Sequence, residues 1–294
     1  MRASMDEIWR LTQSPDEHAR WDLRFSEISY LPRPDESVPQ RFVYSTRIGF
    51  GLGVVGEGES VGTKDDDKGR RTSALKFWSD DPKSLIRTGS GYWQYIPTER
   101  GIRFLTWYDY ETRFGAAGRV LDGILFRPLI GWATAWSFDR LRLWLEKGVD
   151  PSLSFVRAAV VAVCRVSVGF VWIYHGLVPK LLFAHPDEIA MLLSAGVSPQ
   201  LASAVMRAIG IAELLLGLTL LGAFRARWPF LLTIVLMIVA LLGVVLTAPA
   251  FLTAAFNPVS LNTAMIALSL IGYFACVDLP FASRCLRHKP EPAS

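Results

Sequence analysis

Between Trp228 and Val277 the chain has no aspartate, glutamate, lysine or arginine. Fifty residues without a charge are too many for one element of a globular core and enough for two bilayer crossings. Cysteine is scarce as well. Cys164, Cys276 and Cys285 form no CxxC and leave one unpaired, which argues against a disulfide framework and a zinc site. Only His175, of four histidines, falls in an apolar span, so paired haem ligands within the membrane are missing. No metal or other cofactor is expected. The first residues, Met1 to Glu7, lack the charged-then-apolar layout of a secretory signal, so the first domain is expected in the cytoplasm. The net charge is only +4, and the basic residues gather at the ends of apolar segments. That pattern encodes topology, not nucleic-acid affinity.

What is present divides the chain near residue 150. In the first part, Ser4 with Glu7 and Ser14 with Glu17 each fit a capping box, with Pro15 at a first helical position. Two short helices are predicted, at about 5–12 and 15–20. Six strand-like runs follow, near 26–31, 40–48, 53–59, 71–79, 85–96 and 102–113. In the last run Ile102, Phe104, Thr106, Tyr108 and Tyr110 alternate along one face. A long helix is predicted from about Ala117 to Lys147, bent at Pro128. His18, the only histidine of this part, is expected at the surface, and no Ser/His/Asp constellation is visible.

This order of elements describes an α+β helix-grip domain, an antiparallel sheet wrapped around a long C-terminal helix. Residues 4–147 resemble the SRPBCC superfamily (START-like, polyketide-cyclase-like), through Ile8-Trp9-Arg10-Leu11-Thr12 and His18-Ala19-Arg20-Trp21-Asp22. The family opens with a strand, yet only three residues precede Ser4. Either an upstream start or a lost edge strand is therefore expected. The resemblance implies an apolar cavity between sheet and helix. Its expected lining is Phe104 and Tyr108 with Leu121, Leu125, Leu129, Trp132 and Trp136, unless those side chains only fill a core.

The second part is predicted as an all-α four-helix transmembrane bundle over 151–294, with spans near 157–179, 202–224, 228–249 and 260–280. Arg140, Arg142, Lys147 and Arg157 precede the first span, Arg225 and Arg227 separate the second and third, and Arg284, Arg287 and Lys289 follow the fourth. Both termini are therefore expected on the cytoplasmic side of the plasma membrane. Arg165, Glu213 and His175 are the candidate intramembrane polar groups, while Lys180, and Arg207 near a helix end, fall on the opposite side. Arg165 and Glu213 lie at estimated depths of roughly 10–12 Å and roughly 16 Å, so an ion pair between the first two spans is expected. Gly169, Gly210 and Gly217 would let helices approach closely. The run Trp172 to Leu182, with Gly210 to Gly217 and Asn257 to Asn262, resembles the DoxX-like family over nearly all of 153–287. That name derives from a subunit linked to thiosulfate:quinone oxidoreductase and implies little chemistry.

Three functions stay open on these grounds. One is a membrane-anchored binding protein for an apolar, lipid-like molecule. The second is an accessory subunit of a membrane redox system that contacts quinone through Arg165, His175 and Glu213. The third, a cyclase or hydrolase, has no catalytic set behind it. The bilayer is an expected partner, nucleic acid is not, and no protein partner is named.

Overall fold

Ser4 opens the fold. Its hydroxyl accepts from the Glu7 amide at 3.2 Å and starts helix α1 (Met5–Gln13), which buries Ile8, Leu11 and Thr12. Helix α2 (Pro15–Trp21) starts on Pro15 alone, because the Ser14 side chain makes no cap bond. In the computed structural model, which describes residues 1–35, 37–49, 51–255 and 257–287, six strands come next: β1 (Glu27–Tyr30), β2 (Arg41–Gly49), β3 (Leu52–Asp65), β4 (Arg71–Trp78), β5 (Ile86–Thr98) and β6 (Gly101–Thr112). They pair in chain order, every neighbour antiparallel. Register shifts at Arg47/Gly49, Ser60/Gly62 and Ile86/Thr88 supply the irregularities that bend such a sheet. The outer edge of β6 is occupied where it begins. Met1 donates its amino group to the Ile102 carbonyl and accepts from the Ile102 amide, both at 2.8 Å.

The long helix is built in three pieces: α3 (Gly115–Leu121), a π-turn over Asp122–Phe126, and α4 (Arg127–Lys147). Pro128 has no amide to donate and its ring crowds the preceding turn. The chain widens just ahead of it, where the Arg127 amide bonds to the Asp122 carbonyl five residues back. Gly148, at φ +66, ends α4 in the left-handed conformation that glycine tolerates.

The side of α4 that meets the sheet is set by Thr134, Phe138 and Leu141. Phe138 stacks on Phe104 with centroids 4.6 Å apart, and Thr134 Oγ1 lies 3.4 Å from the Tyr108 hydroxyl. Around them close Ile8, Leu11, Trp21, Trp93, Tyr95 and Ile102. The expected lining needs correction here. Leu129 and Trp132 stand two residues from Gly131 and Thr134, about 200° round the helix, and with Leu121 and Leu125 they are exposed. These residues recur at the spacing of one helix face, but the face held against the sheet is that of Thr134 and Phe138. Trp136 is buried, stacked at 6.0 Å on Trp132, and Phe104 lies in the core.

The tail from Pro280 belongs to the same compact unit as Met1–Ser154. Buried Asp139 holds it. One carboxylate oxygen accepts from the Phe281 amide at 2.8 Å and Arg284 Nη1 at 3.0 Å, the other from Arg142 Nε at 2.7 Å.

The second unit, Phe155–Leu279, is helical. It comprises most of α5 (Pro151–His175), a π-turn over Gly176–Leu182, the short α6 (Pro186–Ser194), α7 (Pro199–Gly222), α8 (Trp228–Thr247) and α9 (Pro258–Ala275). Among the described residues four helical stretches are long and apolar enough to cross a membrane: Pro151–Leu182, Pro199–Gly222, Trp228–Thr247 and Pro258–Ala275. Their shortest, at 18 residues, spans about 27 Å, close to the hydrocarbon thickness. Asn257 caps α9 by accepting from the Ser260 amide at 3.0 Å, and Pro258 occupies the first turn. Cys164, Val168, Trp172, Leu216, Leu220, Phe230 and Met265 form the core. Unlike a soluble core it has no water to exclude, so close packing must hold it.

Candidate functional site

Two places concentrate polar groups where they are costly to bury. The first lies in the sheet domain. His18, expected at the surface, is instead largely covered. Its ring stacks on Trp21 and meets Phe25 and Trp93 edge-on, with centroids 4.8–5.1 Å away. Its Nε2 lies 3.0 Å from Asp22 Oδ2. Asp22, fully buried, also accepts from Arg24: Nε at 2.9 Å to one oxygen and Nη2 at 2.6 Å to the other. Burial opposes the charge on Asp22, yet the Arg24 guanidinium and then His18 outweigh it and hold the carboxyl well below its usual range. Burial lowers the His18 pKa, with the Asp22 hydrogen bond pulling the other way. The spacing His18-x-x-x-Asp22 puts both on one face of α2, a signal that was present in the sequence.

Arg24 sits over the rings of Phe25 and Tyr108, at 5.4 and 5.8 Å. Its Nη1 makes no hydrogen bond among the described residues. Beyond it the sheet's inner face is aromatic. Strand register puts Tyr44, Phe77, Tyr108 and Tyr110 on this side, each only partly buried, opposite Gly56, Gly89 and Gly91. A Cβ at Gly56 would lie 2.3 Å from the Tyr44 ring, and one at Gly89 would lie 2.4 Å from that of Phe77. Glycine thus lets these rings lie down against the strands. Burial raises Tyr44 to about 12. At the far end the Tyr110 hydroxyl donates to Asp122 at 2.6 Å, and Arg127 Nε closes the pair at 3.0 Å. The structure therefore brings Tyr108 into this half-open face and leaves Leu121, Leu125, Leu129 and Trp132 outside it.

The second place lies among the spans, where the expected Arg165–Glu213 pair does not form. Close approach of Gly169 to Gly217 and of Gly176 to Gly210 fixes an antiparallel register. In that register Glu213 is level with Ile173, some eight residues or roughly 12 Å from Arg165. Arg165, 1% exposed, instead serves the end of α7. Nη1 donates to the Leu220 carbonyl at 2.9 Å and Nη2 to those of Phe224, at 3.4 Å, and Ala226. These carbonyls lack helical partners, and the negative end of the helix dipole favours a cation there.

Glu213 is met by Lys180. The Lys180 Nζ stands 3.1 Å from Glu213 Oε2, an ion pair by distance though not an aligned hydrogen bond, and donates to Glu188 Oε1 at 3.0 Å. Lys180 is itself buried. His175 is half-buried one turn earlier. No group of three or more metal-ligating side chains occurs among the described residues.

Residues 169–270 match the DoxX-like family. The chain is also similar to an uncharacterized membrane protein, YndG, of Bacillus subtilis (strain 168). The two are 50% identical over 179 residues, which is 60% of this chain and 66% of that protein. The chain thus spans just under two thirds of that relative. No solved structure matches.

Proposed function

We propose that this membrane protein, with its DoxX-like domain and four candidate spans, is an anchored binding protein for a lipid-like molecule. The sheet domain, read as a helix grip of the SRPBCC kind, would take that molecule against its inner face. One observation carries the reading. Half of that face is filled by the core around Phe104, while the other half presents partly exposed Tyr44, Phe77, Tyr108 and Tyr110 beside an arginine with an unengaged nitrogen. Apolar walls with few polar groups suit an amphiphile, and Arg24 suits a carboxylate or phosphate headgroup. Tethering to the bilayer would keep the domain at high local concentration beside its ligand. The quinone reading has less support, since Arg165 is committed to backbone carbonyls.

A photoactivatable fatty acid with a diazirine in its acyl chain tests the binding reading on the full-length protein. Adducts should map to β2, β4 and β6, and Arg24→Lys, which keeps a cation beside Asp22 but lacks the free guanidinium nitrogen, should lower their yield about tenfold, the weight of one charge-assisted contact. Adducts confined to α5 and α7 to α9 would remove the domain from the proposal.

Orientation is part of the same reading. The tail holds to α4 through Asp139, so an even number of spans between them agrees with one shared side. Arg225, Arg227, Arg284 and Arg287 mark that side as cytoplasmic. In a version lacking the native cysteines, Asp187→Cys should react with an impermeant reagent from outside intact cells, and Ala293→Cys only after lysis. Equal labelling of both would overturn the topology.

A further inference from the structure

The outer side of the long helix has no role in the reading above. Val120, Leu121, Ile124, Leu125, Leu129 and Trp132 lie on it, 45–76% exposed. Thr134 and Phe138 point the helix's other side at the sheet, so this stripe cannot turn inward without unstacking Phe138 from Phe104. A contiguous apolar strip of this size marks an interaction surface.

Two observations say what covers it. The first is charge. From Phe114 to Trp136 the ionisable residues are Arg119, Asp122 and Arg127. Asp122 is 5% exposed and turned onto Tyr110 and Arg127, so it presents no negative charge outward. Arg119 is exposed, and the Arg127 side chain is 56% exposed. The strip is therefore apolar with only basic charge at its margin, and Trp132 supplies the amphipathic ring that favours a headgroup boundary. The second is connectivity. Helix α4 ends at Lys147 and the first span starts at Pro151, so three residues separate this domain from a bilayer-crossing helix.

We infer that the outer stripe of α3, the π-turn and the first turns of α4 docks onto the surface of an anionic lipid bilayer. It would sink Ile124, Leu125 and Leu129 to the headgroup–acyl boundary, with Arg119 and Arg127 at the phosphates. Docking does not require a ligand on the sheet's inner face, and it can be tested apart from that reading.

The test places one spin label at a time on the full-length protein with its three native cysteines replaced. The sites are Leu125→Cys, Leu129→Cys and, as a water-exposed control in the β3–β4 turn, Asp67→Cys. Val120→Cys replaces any of the first two that lowers the melting temperature. In proteoliposomes of phosphatidylglycerol and phosphatidylcholine at 3:7, collision with oxygen relative to a water-soluble nickel chelate should be several-fold higher at 125 and 129 than at 67. Arg119→Glu should shift the 125 label towards the value at 67. Equal ratios at 125 and 67 would overturn the inference. Labels shielded from both reagents would mean a protein contact and would overturn it too, as would spin–spin broadening between copies, the mark of a second chain on this face.

Discussion

Replacing Asp22 by alanine should destabilise the sheet domain by about 3–5 kcal/mol, the cost of leaving a buried cation without its carboxylate. Asp22 is the hinge of the cluster: the Arg24 guanidinium directs two nitrogens to it, the Arg24 amide a third and His18 a fourth. Removal strands two side chains, His18 among the rings of Trp21, Phe25 and Trp93 and Arg24 over those of Phe25 and Tyr108. Hydrogen exchange of the full-length protein, read over peptides from α2 to β1, should show protection falling by two to three orders of magnitude at about 1.4 kcal/mol per tenfold. A change under tenfold would mean that water reaches the cluster. The same groups fix a pH dependence. The folded His18 resists protonation relative to its ordinary value of 6.5, so the unfolded chain binds more protons in the window just below that pH. Stability is full above pH 6.5 and declines as the pH falls through that window. Asp22, depressed by Arg24, adds a second loss only below the usual carboxylate range. His18→Gln should remove the first decline and leave the second.

The cluster also shows what could and could not be read beforehand. Five of the six strands were legible within about two residues because alternation and turn residues are local properties, whereas the third, expected at 53–59, runs on to Asp65. The β6 run predicted at 102–113 spans Gly101–Thr112. The four spans were legible for the same reason, since bilayer thickness sets their length. Helix caps were read half correctly. Ser4 and Ser14 offer the same motif, but only Ser4 bonds its helix. What failed was whatever depends on rotation or register. The stripe through Leu125 and Trp132 has the right period to face a sheet, and Thr134 with Phe138 takes that place. A tyrosine hydroxyl available to pair with Thr134 is a tertiary fact that hydrophobic periodicity does not contain. His18 was misplaced because a lone histidine between polar neighbours looks solvated, and the rings that cover it include Trp93, some seventy-five residues on, beside the local Trp21 and Phe25. In the spans, depth was counted from each end separately. The glycine contacts, which set the true register, moved Glu213 two turns from Arg165 and onto Lys180.

That register leads to the second large effect, a contrast between two pairs. Lys180→Met leaves Glu188 and Glu213, both mostly buried, facing each other with no cation between them. Folded stability in detergent should fall by about 3–5 kcal/mol. Glu213→Gln should cost far less, on the order of 1 kcal/mol, because Lys180 keeps its 3.0 Å bond to Glu188. Combining Lys180→Met with Glu213→Leu should recover part of the loss, since the double variant removes the stranded carboxylate along with its partner. A coupling of about 1–3 kcal/mol is expected between them. Arg165→Leu should also destabilise, by exposing the carbonyls of Leu220, Phe224 and Ala226 that it satisfies. Its effect should add to that of Glu213→Leu within about 0.5 kcal/mol, as for residues that share no contact. The measurement is the folded fraction of each variant by gel filtration after graded heating in one detergent. Coupling between Arg165 and Glu213, with none between Lys180 and Glu213, would mean that α5 and α7 pack in a register shifted by about two turns. The glycine contacts at Gly169–Gly217 and Gly176–Gly210 could not then exist. Substituting Gly217 by leucine, whose Cβ alone would lie 2.6 Å from Ile173 Cγ1, supplies the independent check on that register. It should destabilise on its own and leave the Lys180–Glu213 coupling to collapse with the helix contact, because the ion pair depends on the glycines to bring the two spans within reach.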